Sequence, residues 1–194
     1  MVKDIGSMAL GGPPLVKAMT GEDIPEQELG GSKVHTSKSG VGDAEYKSDQ
    51  ECIAAIKRYL SFFPSNNTEP PPRRDAVDPV DRRVEEVYGI VPTAPRRAYD
   101  MTKVIGAIVD DGDFFEMKRD WARNVIVGLA RMGGDVVGIV ANQPKVLGGA
   151  LVGDVVEPGQ GPRQLGRPEQ LVRLRQRLHR AGNAVAVHAD GLHG

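Results

Sequence analysis

The order of apolar and polar positions divides the chain into blocks. Ser7 to Leu10 is a short apolar run that predicts a strand. It ends in Gly11-Gly12-Pro13-Pro14, and prolines at a first turn predict a helix over Leu15 to Met19. "TGEDIPEQELGG" is polar, turns at Gly21 and predicts a short helix ending at Gly30-Gly31. "SKVHTSKSGVGD" reads as a strand and a loop. "SDQECIAAIKRYLSFFP" carries the strongest helical signal. Cys52, Ile53, Ile56, Leu60 and Phe63 recur at helical spacing, Ser48 or Asp49 caps the start, and Pro64 ends it. Cys52 on that apolar face reads as a packing residue.

A Pro-rich stretch follows, "PSNNTEPPPRRDAVDP" from Pro64 to Pro79. Three consecutive prolines favour extended backbone and stop a helix, so it reads as a linker. "DMTKVIGAIVDDG" predicts a helix capped by Asp100, packed through Val104, Ile105, Ile108 and Val109, and stopped at Gly112. "DFFEMKRDWARN" reads as a connector that gives two aromatics to the core. "VIVGLARMGGDVVGIVANQP" is the clearest element. Two apolar runs flank Met132-Gly133-Gly134-Asp135, a hairpin signature, and both strands read as buried. The second breaks at Asn142-Gln143-Pro144. In the tail, "RPEQLVRLRQRLHRAG" can form a basic helix and "NAVAVHAD" a strand.

Composition changes along the chain. All nine lysines lie at or before Lys145 and every aromatic at or before Trp121, whereas six arginines fall between Arg163 and Arg180. Residues after Leu151 therefore read as a different kind of sequence. A shift of reading frame in GC-rich coding is the preferred explanation, with a degraded helix–strand unit as the alternative. The formal net charge of -1 favours neither nucleic acid nor an anionic membrane surface. The arginine cluster has no aromatic platform beside it, so a nucleic-acid role finds little support. A single cysteine gives no disulfide framework and no zinc cluster, and no metal site is expected. No apolar run reaches membrane-span length, and Met1-Val2-Lys3-Asp4 does not read as a signal peptide. The expectation is a soluble, cytoplasmic protein without membrane contact.

Two blocks carry a resemblance. "MALGGPPLVKAMTGEDIPEQELGGSKVHTSKSGV" resembles the end of the N-terminal lobe of the carboxyltransferase (beta) subunit of biotin-dependent acyl-CoA carboxylases, the propionyl-, acetyl- and methylcrotonoyl-CoA enzymes. "GIVPTAPRRAYDMTKVIGAIVDDGDFFEMKRDWARNVIVGLARMGGDVVGIVANQP" resembles the start of the C-terminal lobe, and "DPVDR" sits where the family joins the two. The resemblance covers nearly all of residues 1–151. It implies an α/β, partial crotonase/ClpP-like carboxyltransferase fold. The expected division is 1–63, the end of the N-terminal lobe; 64–93, the linker; 94–151, the start of the C-terminal lobe; and 152–194, a non-family tail.

The resemblance also implies a chemistry: transfer of a carboxyl group from carboxybiotin to the α-carbon of an acyl-CoA. Each lobe of the family supplies a pair of backbone N–H groups as an oxyanion hole. One hole stabilises the thioester enolate and the other the biotin oxygen. No cofactor is bound covalently. Biotin comes on a partner carrier domain, and the implied partners are acyl-CoA, the biotin carboxylase and carrier subunits, and further carboxyltransferase subunits in a homo-oligomer. The Ser-Gly-Gly-Ala-Arg-like and Gly-Gly-Ala-Tyr-like turns that carry the two holes are absent from these residues, and "GGAL" at Gly148 to Leu151 is not one of them. The expectation is the tail of one lobe and the head of the other, inactive by itself. The alternative is a catalytically dead docking module for full-length carboxylase subunits.

No residue reads as a catalytic group. Six read as candidates for substrate binding, each beside a plainer role. Gly11, Gly12 and Pro13 could line the acyl-CoA cleft or simply turn strand into helix. His35 could bond at a lobe or subunit interface or be structural. Asn142 and Gln143 could border the biotin side or form a loop after the hairpin. Arg96 and Arg97 could meet a CoA phosphate but suit a solvated face better.

Overall fold

The helix expected after Gly12 forms as α1, Pro13–Thr20, with proline at its first positions and Gly21 in the left-handed conformation at its end. In the computed structural model, residues 1–76, 78–79, 83–94, 97–149 and the backbone of 184–187 are described. They divide into two units, the first of Met1–Leu60 with Lys118–Trp121, the second of Ser61–Met117 with the residues from Ala122 onward.

In the first unit, α2 spans Glu26–Gly30 and α3 spans Asp49–Leu60. Ser48 caps α3: its Oγ accepts from the Glu51 amide at 3.2 Å, while Glu51 Oε2 accepts from the Lys47 amide. The first satisfies a donor that a helix start leaves unpaired, and the second ties the chain before the cap to the first turn. The face of α3 expected to pack is not buried. Ile53, Ile56 and Leu60 are 52%, 51% and 59% exposed, and Cys52 is only partly covered. Periodicity marked the apolar face correctly; it carried no information about what covers it.

Two expected strands of this unit do not form. Ser7 makes one antiparallel bridge to Gly31, and Leu10 is fully exposed. The run is short and bounded by glycines, so it cannot extend a ladder. The segment after Ser32 is instead a wide helical turn, Val34–Lys38. Thr36 Oγ1 donates to the Ser32 carbonyl at 2.9 Å and Ser37 Oγ to the Lys33 carbonyl at 2.6 Å. Such local bonds to the fourth residue back compete with extended backbone, and Val34 alone gives no alternating apolar pattern to oppose them.

The second unit holds the core. A short helix, α4 (Glu86–Ile90), follows the Pro-rich segment, and α5 spans Met101–Ile108 with Asp100 as cap, its carboxylate accepting from the Thr102 amide. A four-stranded sheet runs in the order β1 (Phe115–Met117), β2 (Val125–Met132), β3 (Asp135–Asn142) and β4 (Ala184–Val187). The first two pairings are antiparallel and β3–β4 is parallel. Met101, Val104, Ile105 and Val109 pack on Ile126, Ala130, Val137, Ile139 and Ala141, with Val87, Ile90 and Phe114 at the margin.

The hairpin β2–β3 turns through Gly133 and Gly134 at φ 61° and 85°, the two positive angles that a tight two-residue turn needs. The supposed connector contains β1, an addition that one alternating pair, Phe115 and Met117, was too short to reveal. Gly128 makes room for it. A Cβ there would overlap the Phe115 carbonyl oxygen and meet the Phe114 ring at 2.5 Å. The strand expected in "NAVAVHAD" forms as β4. The basic helix expected at 168–182 lies outside the described residues, as do Arg96 and the end of "GGAL".

Candidate functional site

Four of the six candidate residues lie in the first unit. Gly12 is the N-cap of α1, with no side chain bonded across the helix start. Its carbonyl accepts from the amides of Leu15 and Val16 at 3.0 and 3.2 Å. Gly11 is half-buried against the Leu15 side chain, and Pro13 fixes the first helical φ. His35 stands on the wide turn with both ring nitrogens occupied. Nε2 lies 2.7 Å from the Met8 carbonyl oxygen and Nδ1 lies 3.2 Å from Ser39 Oγ. A carbonyl only accepts, so Nε2 carries a proton and donates to it, while Nδ1 shares a bond with the Ser39 hydroxyl. His35 thus ties down the chain three residues ahead of Gly11. It serves as a tether; neither nitrogen is left over for a ligand.

The other two candidates stand at the end of β3 in the second unit, Asn142 as its last residue and Gln143 just beyond it, and they differ sharply. Gln143 is spent on structure. Its Oε1 accepts from the Met101 amide at 3.0 Å, its Nε2 donates to Asp100 Oδ1 at 2.8 Å, and its backbone amide donates to the Asn124 carbonyl at 2.8 Å. Lys145 Nζ reaches Asp100 Oδ2 at 3.3 Å. The start of α5 and the loop after β3 are therefore held by one carboxylate. Burial pushes the Asp100 carboxyl up, but the bonds from Thr102, Gln143 and Lys145 outweigh it and hold it at about 2. Asn142 is the opposite case. It is 7% exposed, its Oδ1 has no hydrogen-bond partner, and its Nδ2 lies against Gly149. An unpaired buried amide oxygen is uncommon, and the Asn142 Nδ2 on the same amide borders the 3-10 turn Leu147–Gly149.

Two features gave no signal in the sequence. Asp100 and Gln143 are far apart in the chain, so the cap was readable but its partner was not. Arg131 lies on β2 among apolar neighbours, 7% exposed, with its guanidinium 4.6 Å from the centre of the Phe62 ring and Nη2 donating to the Ser61 carbonyl at 2.8 Å. Burial and then Arg74 push its pKa down, while Asp113 and Asp110 pull it up. Among the described residues no three His, Cys, Asp or Glu side chains converge as a metal site would require. No helix among them is long and apolar enough to cross a membrane. An open cleft of about 670 Å³ is lined by Arg73, Arg74, Asp75 and Ala76 and includes none of the six candidates.

The helices and small sheet define a part of a carboxyltransferase fold of the 12S transcarboxylase kind. That structure, described as a hexamer assembly with hydrolysed methylmalonyl-coenzyme A bound, aligns with a TM-score of 0.72 at 39% identity, over 78% of this chain and 30% of its own. The Carboxyl transferase domain family matches residues 1–157, beyond the compositional break at Leu151, and the chain belongs to that family. The propionyl-CoA carboxylase beta chain of Sus scrofa is 44% identical over 151 residues, 78% of this chain and 28% of the relative. The propionyl-CoA carboxylase beta chain of Roseobacter denitrificans is also 44% identical over 151 residues, covering 30% of that relative. The chain thus spans under a third of the length of the relatives it matches.

Proposed function

We propose that these residues belong to the carboxyltransferase component of a biotin-dependent acyl-CoA carboxylase. In this reading residues 1–63 end one crotonase-like lobe, 64–93 link, and 94–151 open the second. The reaction is transfer of a carboxyl group from carboxybiotin, carried by a partner subunit, to the α-carbon of an acyl-CoA. The observation that carries the reading is the family match over residues 1–157, a span that includes both blocks. The likeness to a transcarboxylase with hydrolysed methylmalonyl-coenzyme A bound supports the substrate class.

The chain's own groups have defined parts in this proposal. Gly11, Gly12 and Pro13 shape the turn beside the acyl-CoA, and His35 positions that turn by holding the Met8 carbonyl. Gln143 positions the loop after β3, and Asn142 beside it borders the biotin side of the site in this reading. No acid–base step is assigned to any of them. The oxyanion holes of the reaction lie in turns that these residues do not include. Loss of one donor from such a hole costs about 100- to 1,000-fold in rate, so the 194-residue polypeptide is expected to be inactive alone.

A chimera tests the reading. Residues 1–151 replace the matching region of the Roseobacter denitrificans subunit, and carboxylation is assayed with biotin carboxylase, biotinylated carrier, ATP and bicarbonate. Activity within about tenfold of the parent is expected. A chimera that folds and assembles but forms no carboxylated acyl-CoA overturns it. A docking module is the second reading, favoured by the exposed apolar side chains of α1 and α3. It predicts capture of the polypeptide by the full-length subunit with no change in the rate of the complex.

A further inference from the structure

The tip of the β2–β3 hairpin does more than reverse the chain. The Gly133 and Gly134 amides point the same way, and both donate to one carboxylate, Asp110, at 2.9 and 2.7 Å. Successive amides arranged like this form an anion-binding concavity, here filled by a side chain of the protein itself. The opposite edge of the tip takes the Pro-rich segment. Arg74 donates its amide to the Gly134 carbonyl at 3.0 Å. Arg73 Nε lies 3.3 Å from Asp135 Oδ1, and its Nη2 donates to the Gly133 carbonyl at 3.4 Å. Four residues after Arg74, Asp78 Oδ2 accepts from the Asp111 amide at 2.9 Å. The contact is close: a Cβ on Gly134 would overlap the Arg74 carbonyl oxygen.

We propose that the hairpin tip is a docking surface for the chain's own segment Arg73–Ala76, with Asp110 as the residue that sets it. Asp110 fixes the plane of the two glycine peptides, and that plane aims the Gly134 carbonyl at the Arg74 amide. Gly134 is required twice, by its left-handed φ and by the space its missing side chain leaves to Arg74. The polyproline run just before Arg73 removes three backbone donors, so this stretch cannot build a ladder of its own. The docked Arg74 peptide group supplies its backbone bond to the hairpin, beside the side-chain bonds of Arg73 and Asp78. The Arg73–Asp135 ion pair is exposed on both sides and adds little.

The test uses the 194-residue chain. In the wild type, the Arg74 amide should exchange with deuterium at least about tenfold more slowly than an unprotected amide. Exchange at the unprotected rate overturns the proposal without any variant. Trypsin cleavage after Arg73 and Arg74 is then timed against cleavage after Lys47. Asp110→Ala and Gly134→Asn should each speed the first two about tenfold relative to the third, and Asp135→Ala should change them less than about twofold. Asparagine tolerates the left-handed angle, so Gly134→Asn tests the contact with the hairpin kept. Unchanged cleavage in a folded Asp110→Ala or Gly134→Asn chain, or an Asp135→Ala effect as large as theirs, sinks the assignment.

Discussion

Replacing Gln143 by glutamate keeps the side chain's length and its acceptor oxygen but deletes the donor that faces Asp100 at 2.8 Å. Two carboxylates would then share that space. At about 4 Å and an effective dielectric of about 20, two like charges repel by about 4 kcal/mol. Lys145, 3.3 Å from the other Asp100 oxygen, and a modest side-chain rotation relieve some of it. A loss of about 2–3 kcal/mol at neutral pH is the expected net. One bound proton cures the clash, because the carboxylic acid O–H can donate where the amide did. The pKa of the introduced carboxyl is thus raised in the folded state above its unfolded value of about 4.3. For a carboxyl raised on folding, the folded state binds more protons, so stability falls as pH rises through the folded pKa. Urea midpoints followed by circular dichroism at about pH 5 and about pH 7.5 read this directly. Relative to the wild type at each pH, the variant should lose most of its deficit at the lower value. An equal deficit at both values would show that residue 143 does not face Asp100.

Other expectations follow from the same geometry. Asp100, held at about 2 against an ordinary 3.8, contributes stability that is complete above 3.8 and lost as pH falls towards 2. Solvent screening leaves about 1 kcal/mol of it, which Asp100→Asn should abolish in acid titrations. Gly128→Val forces a side chain into the Phe115 carbonyl and the Phe114 ring. It should cost about 2–4 kcal/mol and open the β1 amides to hydrogen exchange. The exposed apolar stripe on α3 should make the chain self-associate with rising concentration in sedimentation runs. Ile56→Lys should weaken that association, and a wild type that stays monomeric throughout would refute the stripe's role.

What could be read from the sequence followed the range of the cause. The Asp100 cap, the Gly133-Gly134 turn and the stops at Gly21 and Gly30 are local, and each formed where its residues stand. The amphipathic pattern of α5 also predicted its buried side, because the sheet it faces lies in the same unit. The pattern of α3 predicted a helix but not its covering. The two absent strands failed for a different reason: Ser7–Leu10 has too few residues between glycines, and Thr36 and Ser37 satisfy backbone carbonyls locally. At the candidate site, reading by residue type treated Asn142 and Gln143 as a pair. Only geometry separates them, since the bonds that occupy Gln143 come from Asp100 and its neighbours, far away in the chain. Asp110 was read as part of a helix end; its bonds to the glycine amides depend on a fold that no window of sequence contains.

The parallel pairing of β3 with β4 has a consequence for the order of folding. Strands β2 and β3 meet across two residues, so they can zip in microseconds. Strand β4 reaches β3 only after the chain has returned from Asn142 to Ala184, a far longer closure. Loop entropy grows with the logarithm of length, and the register Gly138↔Ala184 to Ala141↔Val187 offers only four residue pairs in return. The hairpin is therefore expected to form first and β4 to join it last, an order that φ-values at Val127 and Val185 would check. Until β4 arrives, the open side of β3 is a free template, and any extended segment that reaches it first competes for the same row of amides and carbonyls.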